Sequence, residues 1–424
     1  MMRHIILVIT ALAFNVLISP AHAGEANPAV LEHLTLRDAL VLLADGNREI
    51  RAAQRMVEGL RADGISAAQR PNPTLSINTQ SISLERSNSG RAWDKPVDTV
   101  IRLDQVIERG DKRELRVKAA EQAVKAGRAN IADTIRQQRL ALTASYYDLL
   151  LAQEKERINR QNIQLHERTL AAARLRLKAG DISASDLARL EVEAYRADNE
   201  LNQAQAESEK ARLSLAYVLS VEREASRIKA TDAWPEPAVM PVPEFDEAIA
   251  RRADVRAAQA AVDLADARRA QARALQTRDI SVGVQYEHFP PESRNTVGVG
   301  VSFPLFAHYS YEGEIKRAES DYNDARENLE RAAAQARTEI AQNRADLQAA
   351  AERLRRFREG LLEKAQKTAN AAEFAYLQGA QGLMDLLDAR RTLRAMQLDA
   401  AAAQADYAKA SVAWVAAIAP SEEP

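Results

Sequence analysis

The residues able to do chemistry are few and sit at two places in the chain. Gly180 is followed by Ser183 and Asp186, and Gly379 by Gly382, Asp385 and Asp388. A glycine that ends one helix, then a small residue with an acid three positions on, is a helix–turn–helix with a capping box, so the plainest task for Asp186 and Asp385 is to accept backbone N–H groups. Nothing else in the sequence converges on a reaction. His33, His166, His288 and His308 are isolated, without a second histidine or a cysteine at i+3 or i+4. There is no cysteine, which excludes disulfides, thiolate metal sites and thiol nucleophiles. No phosphate-binding loop, nucleophile elbow or H-E-x-x-H motif occurs, and Gly298-Val-Gly300 belongs to an alternating strand. No cofactor and no metal site is expected, and an enzyme is the remotest class.

The elements that would position these acids are unusual. The chain has 424 residues, of which 28% are charged and 46% hydrophobic but only 5% aromatic, a balance that favours long, closely packed helices over a globular core. A net charge of -2 argues against a nucleic-acid partner. At the N-terminus Arg3 and His4 precede an apolar run from Ile5 to Ile18, and Ala21-His22-Ala23 has the small-x-small form of a secretory cleavage site. Residues 1–23 are therefore expected to be a signal peptide, removed before Gly24. No later window is long and uncharged enough to span a bilayer as a helix.

Two halves share one plan. Ile50-Arg51-Ala52-Ala53-Gln54 returns as Val255-Arg256-Ala257-Ala258-Gln259, Lys118, Ala120 and Glu121 return as Lys316, Ala318 and Glu319, and Gly180, Asp186 and Leu187 return as Gly379, Asp385 and Leu386. The offsets are 205, 198 and 199 residues, so three separate blocks stay in step. The expected organisation is a first repeat over 24–233, a proline-rich extended linker over 234–243, a second repeat over 244–420 and a tail over 421–424. Each repeat reads as helix, two strands, very long helix, turn, helix. The first helix is expected to start at Thr35, capped by Asp38, and to end near Pro71 and Pro73.

From Asp111 to Lys178 there is no proline, and these 68 residues predict a rod of roughly 100 Å. The second repeat predicts a similar rod from Glu314 to Gln378. On the first rod Ile135, Leu142, Leu149, Ile163, Leu170 and Leu177 form a seven-residue row broken only by Glu156, and Ala144, Leu151, Ile158, Leu165 and Ala172 a second row about 200° away. Two nearly opposite seams suit a stave in a curved wall. A helix in a soluble bundle with a wide apolar face is the alternative.

Around residues 75 and 280 the pattern changes to strict alternation. In Thr296–Phe303 the valines at 297, 299 and 301 face away from Thr296, Gly298, Gly300 and Ser302, and Ile280–His288 alternates likewise. Strands are predicted at 74–83, 98–106, 280–288 and 296–303, the first pair being more polar. About nine residues suits a tilted strand crossing a bilayer, with Tyr286, Phe289 and Phe303 near the ends as interfacial aromatics. A soluble sheet covered on one side gives the same pattern. Four strands cannot close a barrel, so membrane-spanning strands would have to be pooled by two, three or more chains.

These features together resemble the TolC family of outer-membrane efflux proteins: the leader, the two repeats, the Phe303-Pro304-Leu305-Phe306 exit from the last strand, and Gly379 followed by Asp385-Leu386-Leu387-Asp388. The resemblance implies a mainly α fold with a small β part, a homotrimer in which four strands per chain make a 12-stranded transmembrane β-barrel, continued by an α-barrel tunnel through the periplasm. It implies a passive duct in the outer membrane, surrounded by its lipid, that works with a periplasmic adaptor protein and an inner-membrane pump of the RND type. Asp385 and Asp388 would line the periplasmic gate, where rings of acids attract cations. Gly180, Asp186, Gly379 and Gly382 would belong to the hairpin tips that dock the adaptor. Ile107 to Arg113 resembles the turn of the heavy-metal, cobalt-zinc-cadmium (CzcC-like) branch, with Asp111 in place of its second glycine. Export of a drug, dye or other small molecule stays open beside export of a metal cation. A soluble periplasmic coiled-coil scaffold is the second class of function.

Overall fold

The computed structural model describes residues 28–82, 97–238, 240, 242–289 and 293–419. The expected leader and the C-terminal tail lie outside them. After a short helix, α1 (Pro28–Glu32), the first repeat runs through α2 (Leu36–Gly46), α3 (Arg48–Ala67), β1 (Thr74–Gln80), β2 (Asp98–Ile107), α4 (Lys112–Ala179) and α5 (Ala184–Leu219). The second runs through α6 (Phe245–Arg251), α7 (Ala253–Ala274), β3 (Ile280–Phe289), β4 (Ser293–Ser302), α8 (Glu312–Arg356), α9 (Leu362–Leu377) and α10 (Leu383–Ile418). No helix among the described residues is long and apolar enough to cross a membrane.

Local chemistry explains most boundaries. Thr35 caps α2 as expected, its hydroxyl accepting from the Asp38 N–H at 3.1 Å and donating to the Asp38 carboxylate at 2.6 Å. The expected single first helix is in fact two. Asn47 is extended, ends α2 and caps α3 by accepting the Ile50 N–H at 3.0 Å, while its amide donates to the Val218 carbonyl and to Gln138. A buried asparagine so occupied serves three elements at once.

Rod α4 is one continuous helix of 68 residues. The second rod is not continuous, which corrects the expectation from its proline-free sequence. It breaks at Phe357–Leu361, where Gly360 takes φ +100° between α8 and α9. Only glycine enters that region without steric cost, and nothing lies within 4 Å of where its Cβ would be, so backbone conformation alone accounts for it. Beside the break Arg358 pairs with Glu236 of the inter-repeat segment. Tyr407 of α10 accepts the Ala238 N–H at 3.0 Å, and Trp234 stacks on Tyr147 with ring centres 6.1 Å apart. The proline-rich segment is thus strapped to the helices.

The core follows the first predicted seam and the second only in part, Ala144 and Ala172 being exposed and Leu151 and Leu165 half-buried. Leu142 and Leu149 of the first row are fully buried with Tyr146, Leu215 and Leu219, and Ile158 of the second row is buried too. Rod α4 carries α3 and α7 along one part of its length and α5 and α10 along another. In the second repeat Ile340 packs on Trp414 and Val255, and Leu354 on Tyr407.

The four strands form one antiparallel sheet in the order β1-β2-β3-β4. β1 ends at Gln80, earlier than expected, before Ser81 at φ +59°. Each repeat leaves the sheet by the same device: the residue capping its rod, Asp111 or Tyr311, is left-handed, with φ of 53° and 62°. Gly110 before it is at φ +69°, and a side chain there would strike Thr277. In the first repeat, Arg113 and Arg116 donate to the Ala68 and Gln69 carbonyls at the end of α3, Arg116 pairs with Glu108, and Lys112 reaches Asp279 at 2.8 Å. Cations at a helix C-terminus meet its unsatisfied carbonyls, so Glu108–Arg116 clamps the sheet onto the rods.

Candidate functional site

Two regions stand out, one at each end of the rods. The first is the sheet. Register places Leu75, Leu103, Val284 and Val299 in one row across all four strands and Ile77, Ile101, Tyr286 and Val297 in the next. Among the described residues nothing covers these rows: Val297 and Val299 are 81% and 85% exposed, and Leu75, Ile77, Ile101 and Leu103 are exposed as well. The first strand pair, the less apolar by sequence, therefore shares the same face as the second. Tyr286 and Phe289 stand toward one end of the sheet and Phe303 just past the other. The opposite face carries Ser76, Arg102, Gln285 and Gly298 in one row and Thr74, Asp104, Gly283 and Gly300 in the other. Such a sheet is apolar toward one medium and polar toward another. An uncovered apolar patch of this extent marks a membrane or protein interface.

The second region is the pair of turns at the far end of the rods. Gly180 and Gly379 are left-handed, φ +81° and +71°, and each closes its helix with paired bonds: Gly180 N–H to Leu177 and Asp181 N–H to Arg176, Gly379 N–H to Tyr376 and Ala380 N–H to Ala375. Ala173, Leu190, Leu383 and Leu387 are buried together, packing the two hairpins side by side. A groove of about 500 Å³ runs between the turns, lined by Arg176, Gly180, Ser183, Asp186, Tyr376, Gly379 and Gly382. Ser183 caps α5: its hydroxyl accepts the Asp186 N–H at 3.0 Å and donates to the Asp186 carboxylate at 2.7 Å. Asp186 thus holds the capping hydroxyl and does not itself accept the backbone N–H expected of it. Asp385 serves α10 directly, its carboxylate accepting the Gly382 N–H at 3.3 Å. Asp388 is exposed one turn on. Its field acts on Arg391, whose pKa is raised chiefly by the hydrogen bond to Glu193. The fold therefore brings Gly180, Asp186, Gly379, Gly382 and Asp385 together. Among the described residues no group of three His, Cys, Asp or Glu is placed to hold a metal ion.

Behind the tip lies a buried polar knot that sequence inspection missed, because single polar residues on long charged helices carry no pattern. Arg390 of α10, 5% exposed, donates to the Thr169 hydroxyl of α4 at 2.8 Å and to Glu373 of α9 at 3.0 Å. His166 lies one turn from Thr169, buried, and its Nδ1 has no partner. Burial lowers the His166 pKa, and the Arg390 and Arg394 guanidiniums lower it further against Glu193 and Glu200. The unfolded chain then binds this proton more readily than the folded one, so stability is complete above the ordinary histidine pKa of about 6.5 and falls as pH drops below it. Protection factors of the α4 amides near His166, with the intrinsic pH dependence divided out, are expected to fall as pH drops from about 7.5 to 5.5. His166→Gln should flatten that dependence.

Comparison with known proteins places these features in context. The family model described as outer membrane efflux protein matches residues 39–220 and 245–419. The cobalt-zinc-cadmium resistance protein CzcC of Cupriavidus metallidurans is 27% identical over 370 residues, 85% of this chain and 84% of that protein. The fold is similar to the outer membrane protein VceC of Vibrio cholerae, with a TM-score of 0.71 at 17% identity over 91% of this chain and 96% of that one. It is likewise similar to the open state of the MtrE outer membrane channel of Neisseria gonorrhoeae, with a TM-score of 0.71 at 18% identity over 90% and 88%.

Proposed function

Because the chain belongs to the outer membrane efflux protein family, whose members are efflux channels and not enzymes, we propose that it is the outer-membrane duct of a tripartite export system. The single observation that carries this is the two-faced sheet. Its apolar rows suit lipid, and its free edges, β1 and β4, would leave backbone groups unsatisfied in a bilayer at several kcal/mol each unless neighbouring chains pair with them. Three chains would give a closed barrel of about twelve strands, within the range of known transmembrane barrels, its polar face turned inward. The rods would extend the bore through the periplasm, with the hairpins at Gly180 and Gly379 offered to an adaptor protein and an inner-membrane pump. Asp385 and Asp388, repeated around the threefold axis, would form acidic rings at the tunnel mouth.

A divalent metal ion is the favoured cargo. Support comes from the similarity to a relative named for cobalt, zinc and cadmium resistance and from the acids at the tip. The ion is cargo, not a resident cofactor. The mature protein is expected to stay with the outer membrane until detergent extracts it, and then to sediment as three chains. Recovery as a monomer from the soluble periplasmic fraction would instead establish the scaffold role and end the duct reading. For the cargo, a deletion strain should become sensitive to cobalt, zinc or cadmium while its tolerance of dyes and hydrophobic drugs is unchanged.

A further inference from the structure

On the polar face of the sheet, midway along the strands, one charged group is built in with more care than a solvated side chain requires. Arg102 of β2 donates through Nε and Nη2 to both oxygens of Asp104, at 2.7 and 2.8 Å, and through Nη1 to the Gln285 side-chain oxygen of β3 at 3.1 Å. The guanidinium lies across the sheet instead of standing away from it. What permits this is glycine. A Cβ at Gly283 would come within 2.7 Å of Arg102 Nη2 and collide with the Asp104 carboxylate, and one at Gly300 would lie 3.2 Å from the same nitrogen. Gly298 leaves equal room for Gln285, whose Cγ would be 3.0 Å from a Cβ there. The glycines that alternate with valine in β3 and β4 therefore have a task beyond strand geometry: they form the floor on which a flat ion pair rests.

We propose that Arg102 and Asp104 keep the barrel bore free of ion preference at mid-height, each guanidinium held flat and cancelled in place by its own carboxylate so that charged cargo passes without a net field. The inference rests on the duct reading, which turns this face inward. Lying flat keeps the bore wide, and the fixed bidentate geometry keeps the two charges from responding separately to a passing ion. An unpaired ring of three arginines would repel the divalent cations favoured as cargo, whereas an unpaired ring of three aspartates would retain them.

The test is the ratio of potassium to chloride permeability of single channels in planar bilayers under a salt gradient. It is measured for the full-length protein, for Arg102→Gln, for Asp104→Asn and for the double variant. Each is also recorded with Asp385→Asn and Asp388→Asn, so that the tip acids do not mask the barrel. Arg102→Gln uncovers the carboxylate and should raise the ratio about threefold, Asp104→Asn uncovers the guanidinium and should lower it by a similar factor, and the double variant should return close to the parent. Unchanged ratios in both single variants, in channels that otherwise conduct, would overturn the assignment while leaving the duct intact. If the unaltered protein makes no channels at all, the duct reading fails and this inference with it. Should Arg102→Gln not assemble, the opposite shift expected of Asp104→Asn decides alone.

Discussion

Val299→Arg is expected to remove the protein from the membrane. Val299 is the most exposed of the strand valines and stands mid-strand in a row with Leu75, Leu103 and Val284. If that row faces hydrocarbon, an arginine near the bilayer midplane costs ~2–4 kcal/mol per strand, and a trimer would carry three. Even the lower figure corresponds to roughly a thirtyfold loss in an assembly equilibrium. The measurement is the fraction of chain recovered as detergent-extracted trimer from outer membranes. Gln285→Glu provides the contrast: position 285 points to the other face, and a carboxylate there can still accept from Arg102, so assembly should be close to normal. Equal recovery of Val299→Arg and the parent would show that the apolar face does not meet lipid.

Neutralising the tip acids is expected to have the second large effect. Asparagine is the substitution of choice at 385, because the Asp385 carboxylate also accepts the Gly382 N–H; alanine would cost roughly 0.5–2 kcal/mol of helix capping and mix a structural loss with an electrostatic one. Asp385→Asn with Asp388→Asn removes two charges per chain. In the proposed trimer these would be rings at the tunnel mouth, so single-channel conductance should rise and the concentration of a divalent or trivalent cation needed for half-block should increase on the order of tenfold. Unchanged conductance and block would leave Asp385 with helix capping as its only task. The same experiment on Asp186→Asn should change little, since its carboxylate is occupied with Ser183.

How much of this was legible beforehand depends on whether the signal was local. The capped start at Thr35, the limits of rod α4, the glycines at the two turns and the alternation in β3 and β4 all arise within a few residues, and each matches the structure within a residue or two except the start of β4, which lies three residues earlier than expected. The first seam of α4 was legible because a seven-residue row survives over tens of residues; the second, ending in small alanines, is buried fully only at Ile158. Failures came where a single residue decides. Asn47 splits the first helix by bonding to Gln138 and Val218, far away in sequence. Gly360 breaks the second rod although glycine within a long helical pattern is usually tolerated.

The sequence by itself determined the periodicities, and with them the rods, the turns, the repeat and the presence of strands with one apolar face, because these follow from backbone geometry and from which side chains recur on one side. Only the tertiary structure decided how the repeats meet. It paired β2 with β3 across the two halves, aligned the polar-looking first strands into the same apolar rows, and set Arg390 among α4, α9 and α10. It also laid Arg102 over glycines that come 181 and 198 positions later in the chain. Those contacts depend on register between distant segments, and no local pattern records a register.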